Sequence, residues 1–114
     1  MLFRSLTFSG KLTEGTERFG LFYLYPLLRG YELRGADHKK CFCEDDAMWF
    51  TPSSEDGSFE YCIKADPDKR IAVVYENGVE VASYKYRKEQ GSALYFLLKN
   101  GEVTFDSIKL VKGI

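Results

Sequence analysis

The sequence predicts an all-β fold, a single-domain antiparallel β-sandwich of jelly-roll type spanning residues 1–114, with roughly eight or nine strands. Three observations carry this. Aromatic residues make up 16% of the chain, as nine Phe, eight Tyr and one Trp, types that favour extended backbone. They occur in short runs with apolar residues at every second position, broken by Gly, Asn, Asp and Pro. No long window carries a 3.6-residue apolar period; Asp37–Met48 and Asp66–Ile71 come nearest and are too polar or too short.

Taken in order, Leu2–Ser9 alternates and directs Leu2, Leu6 and Phe8 inward. Phe19–Tyr25 is apolar on both faces, as a central strand is, and Pro26 ends it because proline cannot donate to a ladder. Tyr31–Arg34 is a short run between Gly30 and Gly35, and Ala47–Phe50 precedes the most loop-like stretch, Thr51–Gly57. Ser58–Lys64 places Phe59, Tyr61 and Ile63 on one side and Glu60, Cys62 and Lys64 on the other. Asp66-Pro67-Asp68 is a turn. Ile71–Glu76 and Val79–Tyr86 flank Asn77-Gly78, while Leu94–Lys99 and Glu102–Leu110 flank Asn100-Gly101. Both dipeptides suit a type I′ hairpin turn, so each is expected to join paired strands, with positive φ at both residues of Asn77-Gly78 and of Asn100-Gly101. The second hairpin would set Lys99 opposite Glu102, Leu98 opposite Val103 and Phe96 opposite Phe105, all four apolar side chains inward. Apolar parity then slips from Val103 and Phe105 to Ile108 and Leu110, which predicts a bulge at Asp106-Ser107.

Composition narrows the function classes. Sixteen basic against seventeen acidic residues give a net charge of −1. Residues 1–57 carry seven and nine, residues 58–114 nine and eight. Charge spread this evenly argues against nucleic acid, whose phosphates need a concentrated basic face. No apolar run approaches the ~20 residues of a membrane helix, so no membrane partner is expected. The N-terminus lacks the ~7–15-residue apolar run of a secretory signal. Three cysteines, an odd number, read as reduced thiols, so a cytoplasmic location is expected.

The segment from Asp56 to Leu110 resembles the second half of a laminin-G-like, concanavalin-type jelly roll. Those domains show an aspartate-rich turn, a hairpin of the form V-Y-x-N-G-x-x-V-A and a closing strand V-x-F-x-x-I-x-L. Here these are Val74-Tyr75-Glu76-Asn77-Gly78-Val79-Glu80-Val81-Ala82 and Val103-Thr104-Phe105-Asp106-Ser107-Ile108-Lys109-Leu110. The resemblance covers about half the chain and implies a trimmed domain, a binding module rather than an enzyme.

Residues that could carry chemistry are few. His38 is the single histidine and sits among charges in Gly35–Lys40, where a solvated loop histidine is the plainer reading than a general base. Glu44-Asp45-Asp46 are contiguous, so neighbours would point apart along a strand rather than form an acid–base pair. There is no nucleophile elbow and no phosphate-binding glycine loop. His38, Cys41, Cys43 and Cys62 supply one imidazole and three thiols, the ligand types of tetrahedral zinc, but the Cys-x-Cys spacing is short for a zinc knuckle. Packed or unliganded thiols are the preferred reading. Asp45, Asp46 and Asp56 with Gly57 match no calcium-loop spacing. No metal and no cofactor are therefore expected.

Recognition remains. The chain is expected to be a non-catalytic module binding a carbohydrate or a protein through an aromatic-lined surface. Alternatives are a small barrel holding an apolar or aromatic ligand, and an accessory or viral subunit docking through a sheet edge. Binding residues expected are Trp49, Tyr31, Arg34 and Arg29, a stacking platform with guanidinium donors. Two roles are open to Trp49: platform, or anchor between the sheets. Tyr84-Lys85-Tyr86-Arg87-Lys88 interleaves rings and bases, which suits either single-strand binding or a protected sheet edge.

Overall fold

The computed structural model describes residues 3–26, 41–44, 47–66 and 68–112, with side chains for residues 5–22, 41, 47–66, 68–86 and 94–111. Eight strands are present among them: β1 (Phe3–Leu12), β2 (Arg18–Pro26), β3 (Cys41–Glu44), β4 (Ala47–Phe50), β5 (Ser58–Asp66), β6 (Ile71–Glu76), β7 (Val79–Lys99) and β8 (Val103–Lys112). All pairings are antiparallel, in the order β3-β4-β2-β7-β6-β5-β1-β8. The 21-residue β7 belongs to both layers. Its first part pairs with β6 in the five-stranded layer β7-β6-β5-β1-β8, and its last part pairs with β2 in the smaller layer with β4 and β3. A strand that switches sheets is one way two packed sheets are joined at a corner. The all-β sandwich expected from alternation is the fold observed. Tyr31–Arg34, Leu2 and Pro67 lie outside the described residues.

Between the layers sits an aromatic core. Phe8 of β1 contacts Phe19, Phe50, Phe59, Tyr61 and Phe96 at centroid distances of 5.1–6.2 Å. Edge-on and tilted geometry dominates, as ring quadrupoles prefer. The parity read for β5 holds, with Phe59, Tyr61 and Ile63 buried.

Asn77-Gly78 is the tight turn anticipated, with φ of 50° and 82° and Glu76 paired to Val79. Asn100-Gly101 is not. β7 and β8 form no ladder: Lys99 pairs with Arg18, Leu98 with Phe19, and Val103 with Leu12. Gly101 has no positive φ; only Asn100 does, at 50°. The chain here crosses from the smaller layer to the larger one, beside the β1–β2 crossing that runs the other way. The two crossings are tied by Thr13 N–H donating to the Glu102 carbonyl (3.0 Å), Glu102 N–H to Thr13 Oγ1 (3.0 Å) and Glu17 N–H to the Lys99 carbonyl (3.0 Å). Gly101 is needed for space, since a Cβ there would run into the Thr16 side chain. Phe96 and Phe105 do meet, at 4.6 Å, but across the layers and only partly buried. Leu98, opposite Phe19, keeps the inward side expected but lies at its margin, 42% exposed.

The bulge expected in the last strand is present. Ser9 pairs with Ser107 and Gly10 with Phe105, leaving Asp106 as the extra residue. Gly10 permits this approach, because a Cβ there would collide with the Thr104 carbonyl. Beyond the bulge Ile108 and Leu110 recover the register of Phe8 and Leu6. Tyr84 and Tyr86 are buried, their hydroxyls donating to the carbonyls of Cys41 (2.8 Å) and Asp66 (3.3 Å). Rings held this way have no face for a base, which removes the single-strand reading of Tyr84–Lys88.

Candidate aromatic binding face

The smaller layer has aromatic residues on both faces, and alternation decides which is which. In β2, Phe19 and Leu21 point inward, so Arg18, Gly20 and Phe22 lie on the outer face. Pairing brings Trp49 and Leu97 beside Gly20, Tyr95 beside Phe22, and Lys99 beside Arg18. The outer face thus gathers Arg18, Phe22, Trp49, Tyr95 and Leu97 around a glycine.

Gly20 is what lets the indole lie down. A Cβ at this position would stand 2.5 Å from Trp49 Cε3, 3.0 Å from Cδ2 and 2.6 Å from the Met48 carbonyl oxygen. Glycine weakens a strand interior; here the ring lies where its side chain would be. The Arg18 guanidinium lies 5.2 Å from the indole centroid, within cation–π range. Phe22 and Tyr95 stand 6.3 Å apart at 45°. Trp49 is half-buried, and Tyr95 is 55% exposed. Of the two roles open to Trp49, the anchor between sheets is not the one it takes; Phe8 and Tyr61 hold that place.

The face is bounded at the Arg18 end by charge. Lys99 Nζ lies 2.7 Å from Glu17 Oε2, and Asn100 Nδ2 donates to Glu17 Oε1 at 3.2 Å. The Lys99 and Asn100 hydrogen bonds hold the Glu17 carboxyl below its ordinary value.

Tyr31, Arg34 and Arg29 lie outside the described residues, as does His38. The zinc constellation is not assembled by the cysteines that are described. Cys41 is buried between the layers, whereas Cys62 points to the outer side of the larger layer, where Thr7 Oγ1 donates to its Sγ at 3.5 Å. No group of three metal-ligating side chains occurs among the described residues. No helix among them is long and apolar enough to cross a membrane.

Two other polar features lie outside this face. Glu76 is buried at the end of β6 and accepts hydrogen bonds from Ser53 N–H (3.1 Å), Ser53 Oγ (2.6 Å) and Tyr61 OH (3.1 Å). Burial, then the charge of Glu76, pushes the Tyr61 hydroxyl well above its ordinary range. This network pins the loop after β4 to the core. An open hollow of about 500 Å³ lies between Lys11–Thr16 and the Pro52–Gly57 loop. In that loop Asp56 accepts from the Ser58 hydroxyl (2.6 Å) and N–H (3.0 Å), which hold its carboxyl below the usual range.

Sequence reasoning singled out Trp49 but not Arg18, Gly20, Phe22, Tyr95 or Leu97 as its neighbours. Their signal is the parity of Arg18-Phe19-Gly20-Leu21-Phe22, in which one residue of each pair serves the core. No family model, curated protein or solved structure matches this chain.

Proposed function

We propose that this chain is a non-catalytic recognition module that binds a carbohydrate or a protein segment on the outer face of its smaller layer. One observation carries the reading: a half-buried indole laid over Gly20, a guanidinium 5.2 Å from it, and Phe22, Leu97 and exposed Tyr95 on the same face. Tyr, Trp and Arg are the side chains that dominate binding hot spots, joining a rigid apolar surface to directional donors. Flat rings stack on the apolar face of a pyranose or on a peptide side chain, and the guanidinium takes hydroxyl or carboxylate oxygens. The barrel alternative fits less well, because the interlocked rings around Phe8 fill the space an internal ligand would need. Kinship with laminin-G-like jelly rolls belongs to the same proposal; the Val74–Ala82 hairpin favours it, and the Asn100-Gly101 crossing departs from its pattern. A reducing, cytoplasmic setting suits its cysteines.

The test is a glycan array and a peptide-display library probed with the wild type and with Trp49→Ala and Tyr95→Ala, alongside melting curves. Retention of a defined glycan or peptide class by the wild type, lost in both folded variants, is the expected result. No retention on either library, or retention indifferent to both substitutions, overturns it.

A further inference from the structure

The chain carries Asn-Gly twice, and the fold treats the two copies differently. At Asn77-Gly78 both residues are exposed, and nothing beyond its chain neighbours lies within 4 Å of a Cβ built on Gly78. The turn itself is fixed: Glu76 pairs with Val79, and Asn77 N–H donates to the Glu60 carbonyl at 2.9 Å. The Asn77 carboxamide, in contrast, has no hydrogen-bond partner among the described residues. At Asn100-Gly101 the carboxamide is tied. Its Nδ2 donates to Glu17 Oε1 at 3.2 Å, and Lys99 Nζ holds the same carboxylate at 2.7 Å. Glu17 N–H also donates to the Asn100 carbonyl at 3.3 Å, and Gly101 lies against the Thr16 side chain.

We propose that Asn77 is a site of spontaneous covalent modification, conversion of its side-chain amide to aspartate and isoaspartate, from which Glu17 protects Asn100. The Gly78 backbone nitrogen, having lost its proton, attacks Asn77 Cγ and forms a new C–N bond. The Cγ–Nδ2 bond then breaks, and Nδ2 takes up a proton and leaves as ammonia. Glycine favours this step because no Cβ shields its nitrogen. Water opens the resulting succinimide ring. Attack at Cγ frees the Gly78 nitrogen from the side chain and leaves an aspartyl residue at position 77. Attack at the Asn77 carbonyl carbon leaves the isoaspartyl form, whose main chain runs through Cβ and Cγ. Both products add one negative charge to the hairpin, next in sequence to Glu76. The isoaspartyl form also lengthens a two-residue loop by one backbone carbon, which breaks the match between turn and strand twist that Glu76 and Val79 rely on. At Asn100 the carboxamide must first leave Glu17 before Cγ can reach the Gly101 nitrogen. This inference concerns the β6–β7 turn and does not rest on the aromatic face.

The intact chain is incubated at neutral and mildly alkaline pH, and the peptides spanning the two turns are followed by mass spectrometry. Enzymatic methyl transfer reads the isoaspartyl fraction. Asn77 should convert at least about fivefold faster than Asn100, the factor that one hydrogen bond contributes. Both rates should rise with pH, since the nucleophile is a deprotonated nitrogen. Glu17→Ala, at an exposed position, should speed conversion of Asn100 about fivefold and leave Asn77 unchanged. Far-ultraviolet dichroism confirms that this variant is folded. In denaturant, where neither turn exists, the two wild-type sites should convert at similar rates. An Asn77 amide that persists, or equal rates at the two sites of the folded chain, overturns the proposal. So does a difference that survives in denaturant, or an Asn100 indifferent to Glu17→Ala.

Discussion

The two faces of the smaller layer are built from the same residue types and do opposite work. On the inner face Phe19, Phe50 and Phe96 meet Phe8, Phe59 and Tyr61 of the other layer ring against ring, with Leu21 fully buried on the same face. On the outer face Phe22, Trp49, Tyr95 and Leu97 cluster around Gly20 with Arg18 at the indole, and among the described residues no second layer packs over them. The inner rings hold the domain together; the outer ones form the face we propose for recognition. Aromatic content alone says nothing about which job a ring has. Strand parity does.

The comparison can be broken most decisively from the inside. Phe8→Ala removes the ring on which the others converge and should cost ~3–5 kcal/mol. Trp49→Ala, half-buried on the outer face, should cost about 1–2 kcal/mol. Chemical denaturation of the two variants measures the gap; equal losses would mean that Trp49 is core after all.

Alkaline pH probes the same asymmetry. The Tyr61 hydroxyl is pushed above its unfolded value of about 10 by burial and by Glu76. Its contribution to stability is therefore complete below pH ~10 and is lost as pH rises beyond it. Melting temperature should fall above pH ~10, and Tyr61→Phe, which cannot ionise, should flatten part of that fall. A variant with an unchanged alkaline profile would show that Tyr61 is not responsible.

Gly20→Ala sharpens the outer face. The new methyl meets the indole and the Met48 carbonyl, so a loss of roughly 1–3 kcal/mol is expected, together with a shifted Trp49 emission maximum. Unchanged fluorescence would place the ring elsewhere.

The smallest effects separate the two Asn-Gly turns. Gly78 has φ 82° and open space around its absent Cβ, so Gly78→Ala should cost about 1 kcal/mol through backbone conformation alone. Gly101→Ala should cost a similar ~1–2 kcal/mol by collision with Thr16. Thr16→Gly, which removes the Cβ that would stand 2.6 Å away along with Oγ1 and Cγ2, should offset the second and leave the first untouched; melting of the single and double variants distinguishes them.

Those turns also mark how far the sequence could be read. Period-two alternation was enough for β5, for the inward side of β1 and for the bulge at Asp106, because one buried face enforces parity. Asn-Gly signals a local reversal, and it does so at both sites, but it carries no information on which strand will be the neighbour. At Asn100-Gly101 the pairing is set by distant partners, Leu12 for Val103 and Phe19 for Leu98. The four-residue β3 has too few residues to show a period. Tyr84 and Tyr86 misled because a tyrosine looks amphipathic in sequence, although both share the inward parity of Ala82. Trp49 was legible as a candidate from its place before a polar loop. Its companions were not, since Arg18, Gly20 and Phe22 interleave with core residues, and their association depends on strands β4 and β7 arriving on either side.

The central claim is that the outer face around Trp49 is the recognition surface. Nitrogen–proton correlation spectra test it most directly, because the lone tryptophan gives one indole N–H resonance. The glycan or peptide best retained in the binding screens is titrated into labelled protein. The account predicts that the Trp49 indole signal and the amides of Gly20, Phe22, Tyr95 and Leu97 shift together, while those of Phe8 and Tyr61 stay still. Shifts centred on Lys11–Thr16 and Pro52–Gly57, or on β8, with the Trp49 indole unmoved, would contradict it.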